Sequence, residues 1–344
     1  MVRDPLDPPL SDYAGAEGHC GIEGLDRRTG EDRRIYKEIR VRLADLSFRY
    51  SDEVAPRKLS VVIPCLNAEA TLGDQLEALA GQSWAGEWEV IVADNGSTDG
   101  SRALVEQFQG RIPGLRLVDA SDRRGQAHAK NAGAAAATGD ALLFVDADDE
   151  VAPGWLEAMG RALTEHAFVA CRYDNEALNP AWVRRTHLNP QKDGVTRYDY
   201  PAYLPHAGGG GLGVRRQVHE EIGGFDESMP ALEDTDYCWR LQLAGRQLAF
   251  APEAVVRIRH RHDLGSIFRQ GMSYGKHNVL IYKRYRSRGM PRLGWTPGLL
   301  RWAKLLLKTP ILLLTQEGRA RWAWQLGWRL GRLEGCWKYR VAAL

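Results

Sequence analysis

Ala141-Leu142-Leu143-Phe144-Val145-Asp146-Ala147-Asp148-Asp149 is the stretch that decides the fold. Five apolar residues in a row read as a short strand buried on both faces of a sheet. The run then stops in acids, so charge sits at the strand's carboxyl end and nowhere in its body. Toward the N-terminus, Leu59-Ser60-Val61-Val62-Ile63, Glu89-Val90-Ile91-Val92-Ala93 and Leu115-Arg116-Leu117-Val118 are strands of the same kind. Helical patterns fill the gaps. Leu72, Leu76 and Leu79 recur at helical spacing behind Asn67, which can cap that helix. Ala103, Leu104 and Phe108 mark a second helix, and the Ala-rich run from Gly125 to Thr138 a third. Such alternation builds βαβ units on a parallel sheet, and ligands bind such sheets beyond the carboxyl ends of strands. Asp94 ends the second strand, and Asp146 and Asp148 follow the fourth, which locates the functional edge.

Two carboxylates crowded as in Asp146-Ala147-Asp148 repel each other, and a divalent cation removes that cost. Mg²⁺ characteristically uses one or two carboxylates together with substrate phosphates. The competing reading is an Asp-rich turn that caps the helix entered at Pro153-Gly154-Trp155; the position at a strand end favours metal. Glu233-Asp234-Thr235-Asp236 is a second acidic cluster. Its members can serve as general base toward an acceptor hydroxyl or as acids in a helix's first turn, and different members can do each. Gly208-Gly209-Gly210-Gly211-Leu212-Gly213 fits a dinucleotide-binding pattern, but no apolar strand leads into it. The run is read instead as backbone that approaches a ligand closely, or as a flexible loop. His260 and His262, after a strand over 254–258, can supply a further metal ligand.

Taken in order, these residues resemble glycosyltransferase family 2, whose catalytic domain has the GT-A fold. Ser60-Val61-Val62-Ile63-Pro64-Cys65-Leu66-Asn67 matches its opening strand and turn. Val92-Ala93-Asp94-Asn95-Gly96-Ser97-Thr98-Asp99 matches its second motif, with Asn95 where the family has a second acid. Asn131-Ala132-Gly133 and Thr138-Gly139-Asp140 precede the DxD; Val214-Arg215-Arg216, Gly223-Gly224-Phe225-Asp226 and Glu233-Asp234 match acceptor-side motifs. The likeness runs from about Leu59 to Gly275.

The resemblance implies an inverting, single-displacement transfer from a nucleotide-diphosphate sugar, by default a UDP-sugar, to a hydroxyl acceptor. It implies a donor pocket in which Asp94 contacts the base and Pro64, Asn67 and Glu69 line the turn. Asn95, Gly96, Lys130, Asp146 and Ala147 complete that pocket. Asp146 and Asp148 would hold the diphosphate through Mg²⁺ or Mn²⁺, with His260 or His262 assisting. Asp234 would be the general base, with Glu233 beside it. Processive relatives carry Gln-x-x-Arg-Trp; only Trp239-Arg240 stands here, which implies transfer of one sugar. Two alternatives remain: an inactive sugar-nucleotide-binding scaffold, and a nucleotidyltransferase. The latter needs a Gly-rich basic loop after the first strand, where this chain has Pro64-Cys65-Leu66-Asn67-Ala68-Glu69.

The whole chain of 344 residues, 44% hydrophobic, is long enough for a large catalytic domain with additions. Its net charge of +2 conceals an imbalance: residues 257–344 carry +16 and residues 1–256 carry −14. Three parts are expected: an N-terminal tail over 1–57, disordered to about residue 34 with a strand or hairpin over 35–50; the mostly parallel GT-A domain over 58–275; and a basic, Trp-rich helical region over 276–344. That last region holds six of the 11 tryptophans. Its apolar run over 299–315 is interrupted by Arg301, Lys304, Lys308 and Pro310, too charged to span a bilayer. It is expected to lie on an anionic membrane surface beside a lipid-linked or cell-envelope acceptor, the rival being packing against the catalytic domain or a second subunit. No nucleic-acid motif accompanies the basic residues. Five scattered cysteines without a CxxC pair and a charged N-terminus point to a reducing, cytoplasmic setting.

Overall fold

A computed structural model describes residues 55–187 and 189–343. The tail, and the strand or hairpin expected over 35–50, lie outside the described residues. The chain opens with β1 (Lys58–Cys65), α1 (Glu69–Ala80), β2 (Glu87–Asp94), α2 (Ser101–Gln107), β3 (Arg116–Asp119), α3 (Gln126–Ala136) and β4 (Ala141–Phe144). It continues through β5 (Glu150–Val151), α4 (Trp155–Glu165), β6 (Phe168–Asp174), α5 (Ala181–Thr186), β7 (Leu212–Arg215), α6 (Arg216–Glu221), α7 (Glu233–Leu243) and β8 (Ala249–Arg257). Three helices close it: α8 (Leu264–Tyr285), α9 (Trp295–Leu312) and α10 (Gln316–Tyr339).

The strands form one sheet in the order β3-β2-β1-β4-β7-β6-β8-β5. β1 to β4 are mutually parallel, as the buried apolar runs require. β7 lies antiparallel between β4 and β6, β8 runs parallel to β6, and β5 closes the edge antiparallel to β8. The sheet is therefore mixed, and its parallel half carries Asp94 and the acidic turn after β4 at its carboxyl edge.

Alternation along β1 separates the two layers. Leu59, Val61 and Ile63 join Leu72, Leu76 and Leu79 of α1 and Trp155 and Met159 of α4 in one core, all fully buried. Val62 points the other way, toward α3. That helix lies so close that a Cβ on Gly133 would come within 2.5 Å of Val62 Cγ1. Farther along this face, Phe144 meets Phe225 edge-on at 5.0 Å between ring centroids, and Phe225 stacks on Tyr237 at 4.2 Å.

Asn67 does not cap α1. The helix begins at Glu69 behind Ala68, and Asn67 sits one residue earlier at φ 51°, its carbonyl oxygen turned to Thr98 N–H. An Asn tolerates that left-handed backbone better than most side chains, which is why it stands at this corner.

The C-terminal helices are built on glycine. α8 runs unbroken through Gly275 and Lys276 and lies parallel to α10. A Cβ on Gly275 would meet Trp328 O at 2.1 Å, and one on Gly331 would meet Met272 O at the same distance. Glycines four apart on both helices (271 and 275; 327, 331 and 335) thus bring the two backbones into direct contact. Trp324 and Trp322 pack with Ile267, Ala320 and Ala323 where α10 meets α8 and the body.

At the sheet's other end, a buried carboxylate ties four segments together. Glu89 of β2 accepts from Ser60 Oγ of β1 at 2.6 Å, Arg116 Nη1 of β3 at 2.6 Å, and Thr138 N at 2.6 Å. Burial pushes this carboxyl up, but Arg116, Ser60 and Thr138 outweigh it and hold its pKa at about 2. A depressed folded-state pKa contributes stability above the ordinary value of 4.5, and that contribution disappears as pH falls toward about 2. Urea unfolding of Glu89→Gln at neutral pH should show a loss of about 2–4 kcal/mol. The gap from the parent chain should narrow as the pH is lowered from 4.5 to 2.

Candidate active site

The acidic turn after β4 is braced from below by α1. Gln75 Nε2 donates to Asp146 O and Thr71 Oγ1 to Ala147 O, both at 3.1 Å. From α3, Gln126 Nε2 donates to Asp146 Oδ1 at 3.0 Å. Asp149 is buried, with Oδ1 accepting from the Arg259 backbone N–H at 2.9 Å. The Arg259 guanidinium donates to Asp148 O at 3.0 Å, so the end of β8 clamps the turn. One oxygen from each of Asp146, Asp148 and Asp149 lies within 4.8 Å of the others.

These acids do not cap α4, whose N-cap is Gly154 with no side-chain bond. Burial, then Asp148 and Asp146, push the Asp149 carboxyl well above its usual range. Burial also raises Asp146, with Lys130 opposing and Glu233 and Asp234 adding to it. Three hard oxygen donors that resist ionising together are the donor set a divalent cation would accept. Asp149 was missed because the DxD reading stops at Asp148; the extra acid in Asp146-Ala147-Asp148-Asp149 was the available signal.

Neither histidine joins this group. The His260 ring stacks on His187, centroids 4.3 Å apart, and burial lowers its pKa to about 4. His262 lies exposed in the loop beyond.

The second acidic cluster divides by role. Leu232, held at φ 61°, turns the chain into α7 and starts the helix with Glu233 and Asp234 in its first turn. Glu233 Oε1 lies 3.2 Å from Lys130 Nζ, and Lys130 is wholly buried. Burial opposes that ammonium, but Glu233, Asp146 and Asp234 outweigh it and raise its pKa. Asp236 serves the fold instead. It pairs with Arg240 at 2.7 Å and accepts from Tyr285 Oη at 2.9 Å, fixing α7 to α8.

The glycine run joins the two acidic sets. Gly209 N–H donates to Asp234 Oδ2 at 3.0 Å, and a Cβ on Gly209 would lie 2.3 Å from Lys130 Nζ. A Cβ on the next residue, Gly210, would lie 2.7 Å from Asp146 Oδ2. The run enters β7 rather than leaving a strand, so the close approach is to the site's own side chains.

The donor-side residues form laced loops after β1 and β2. Pro64 pairs in register with Ala93, Asn67 N–H donates to Ser97 Oγ at 3.0 Å, and Glu69 Oε2 accepts from Gly100 N–H at 3.0 Å. Asp94, fully buried, accepts from Ser97 N–H at 3.1 Å and lies 3.5 Å from Arg102. Gly96 turns at φ 86°. The Asn67 and Glu69 side chains thus brace one loop on the other.

Residues 60–223 match the model of the family described as Glycosyl transferase family 2. The chain belongs to glycosyltransferase family 2. It is 30% identical over 264 residues to the pre-mycofactocin glycosyltransferase of Mycobacterium tuberculosis, a match covering 74% of this chain and 53% of that protein. The chain therefore spans about half the length of that relative. The succinoglycan biosynthesis protein ExoA of Rhizobium meliloti is 25% identical, over 71% of this chain and 75% of its own. A mannosyltransferase from Pyrobaculum calidifontis, solved in complex with GDP-Man and Mn²⁺, shares the fold at a TM-score of 0.58 and 18% identity. That likeness covers 89% of this chain and 97% of the other.

In this family 2 domain, Asn95 replaces an acid for a structural reason. Its amide donates to Ala120 O at 2.6 Å and Arg123 O at 2.7 Å, while its oxygen accepts from Gly125 N–H at 2.9 Å. All three bonds hold the loop between β3 and α3, so the side chain is spent on the fold. A carboxylate could not donate to those two carbonyls. Asn95→Asp should therefore lower the unfolding free energy by about 2–4 kcal/mol, read by chemical denaturation.

Proposed function

We propose that this chain transfers a single sugar from a nucleotide-diphosphate sugar to a hydroxyl acceptor, with inversion at the anomeric carbon. One observation carries the reading: consecutive glycines, 209 and 210, touch one acidic set each, so a metal-binding triplet and a base pair flank the same small space. The Mn²⁺ and GDP-Man in the structurally similar mannosyltransferase support the same reading.

Asp146, Asp148 and Asp149 would hold Mg²⁺ or Mn²⁺, which when bound offsets charge on the departing diphosphate. The loops around Asp94 and Gly96 would seat the nucleotide base. Asp234 accepts the acceptor's proton. Both its oxygens already take backbone N–H bonds, from Gly209 and Thr235, which fix the carboxylate while leaving lone pairs for the proton. Glu233, tied to Lys130, keeps the ammonium in place. The acceptor belongs to cell-envelope polysaccharide or glycolipid assembly, in line with the succinoglycan biosynthesis relative. The chain would act at the cytoplasmic face of the membrane.

A thermal-shift panel of UDP, GDP, dTDP and CDP, each with and without Mn²⁺, tests the donor site. At 100 times Kd one nucleotide should add about 2.7 kcal/mol, or about 4 °C for a protein of this size. The shift should need Mn²⁺ and vanish in Asp148→Ala. Asp234→Asn should keep the shift and lower kcat by about 10²–10⁴. No shift with any nucleotide would overturn the donor-site reading, and a shift without turnover would favour the inactive sugar-nucleotide-binding scaffold.

A further inference from the structure

α9 buries remarkably little of what it carries, and what it leaves outside is apolar. Leu306, Leu307, Ile311 and Leu314 are 67%, 79%, 71% and 78% exposed. At 3.6 residues per turn Leu306, Leu307 and Ile311 fall with Leu299 and Leu300 in one arc of about 140°, and Leu314 follows two residues beyond the helix. No charged side chain lies within that arc. Lys304 and Lys308 line one of its flanks, and the opposite side of the helix supplies the attachment. There Leu305 is buried, Thr309 Oγ1 accepts from Trp322 Nε1 at 3.1 Å, and the Arg301 guanidinium stacks 3.8 Å from the Tyr200 ring centroid. α9 is thus docked by one side and presents a second side, uncharged and apolar but for Thr296, that nothing among the described residues covers.

A soluble surface does not keep so large an apolar strip without an occupant. The charge identifies it. Residues 257–344 carry +16, so two copies meeting through this face would bring two strongly cationic segments together. An anionic lipid surface has the opposite sign, accepts leucines without needing complementary side chains, and sets no register. No helix among the described residues is long and apolar enough to cross a membrane. We infer that α9 lies in the plane of an anionic bilayer, with Leu299, Leu300, Leu306, Leu307, Ile311 and Leu314 sunk among the acyl chains and Lys304 and Lys308 at the headgroups. This rests on the proposed function only for its purpose, which is to hold the acceptor side of the enzyme at a membrane.

Co-sedimentation of the full chain with phosphatidylcholine vesicles, with and without phosphatidylglycerol, tests it. Binding should require the anionic lipid and weaken with salt. Leu307→Asp with Ile311→Asp should bind about tenfold or more weakly. Leu314→Asp, beyond the last residue of the helix, should weaken binding without touching the helix itself. Lys304→Ala with Lys308→Ala should bind more weakly and with less salt dependence. Vesicle binding unchanged by the aspartates, or no vesicle binding at all, overturns the inference. A dimer that sediments without lipid and falls apart in Leu307→Asp/Ile311→Asp assigns the face to a second copy and also overturns it. The Mn²⁺-dependent nucleotide shift, run on the same samples, fails only if the donor-site reading fails, which separates the two.

Discussion

Five carboxylates crowd one end of the sheet, and three of them face one buried ammonium. Asp146, Asp148, Asp149, Glu233 and Asp234 come from two distant segments, and Lys130 is the wholly buried cation in electrostatic contact with Asp146, Glu233 and Asp234. One positive charge cannot offset so many negative ones, and burial together with the neighbouring acids raises the pKa values of Asp146, Asp148, Asp149 and Glu233. That residual negative charge makes the site receptive to a divalent cation. It also explains why the turn is clamped so heavily, by Gln75, Thr71, Gln126 and Arg259. Without those bonds the carboxylates would relieve their repulsion by moving apart.

The sheet keeps a donor-saturated acid and its crowded acids at opposite ends. Glu89, near the amino end of β2, is saturated with donors and strongly acidic. Asp149, beyond the carboxyl end of β4, has its pKa raised, although it too is buried. The difference lies in the neighbours: Arg116, Ser60 and Thr138 surround the first, and Asp148 and Asp146 the second. The glycine run pays for the crowding by removing side chains where the two acidic sets meet, and Leu232 in a left-handed conformation sets the angle at which α7 delivers Glu233 and Asp234.

Much of this was legible because the parallel half of a sheet writes itself in unbroken apolar runs. β1 to β4 and the acids at their ends could be placed from residues alone, whereas the residues left open which of Glu233, Asp234 and Asp236 serve the helix, and the contacts of Asp236 with Arg240 and Tyr285 are tertiary. What escaped was written in weaker marks. β7 is four residues with a glycine inside, and its antiparallel pairing depends on partners far away in sequence. Asn95 looked like a ligand because its motif is one, yet its role depends on the carbonyls of Ala120 and Arg123, which only the fold brings near. The glycines at 271 and 275 and at 327, 331 and 335 are evenly spaced in the sequence, but which helix they face is a tertiary fact.

The C-terminal helices resolve the choice between packing inward and facing outward by doing both with different residues. Trp322 and Trp324 turn toward the body, and the leucines of α9 turn away from it. The connection back to the site is short. Tyr274 of α8, though partly exposed, packs edge-on against Trp324 of α10, centroids 5.7 Å apart, and local desolvation of its phenol together with Asp234, Glu233 and Asp146 raises its pKa. Because α8 and α10 touch backbone to backbone at their glycines, little side-chain material can rearrange between them. The exposed side of α9 is therefore linked, through Thr309 and Trp322 to α10 and by backbone contact to α8, with the helix that packs beside Glu233 and Asp234.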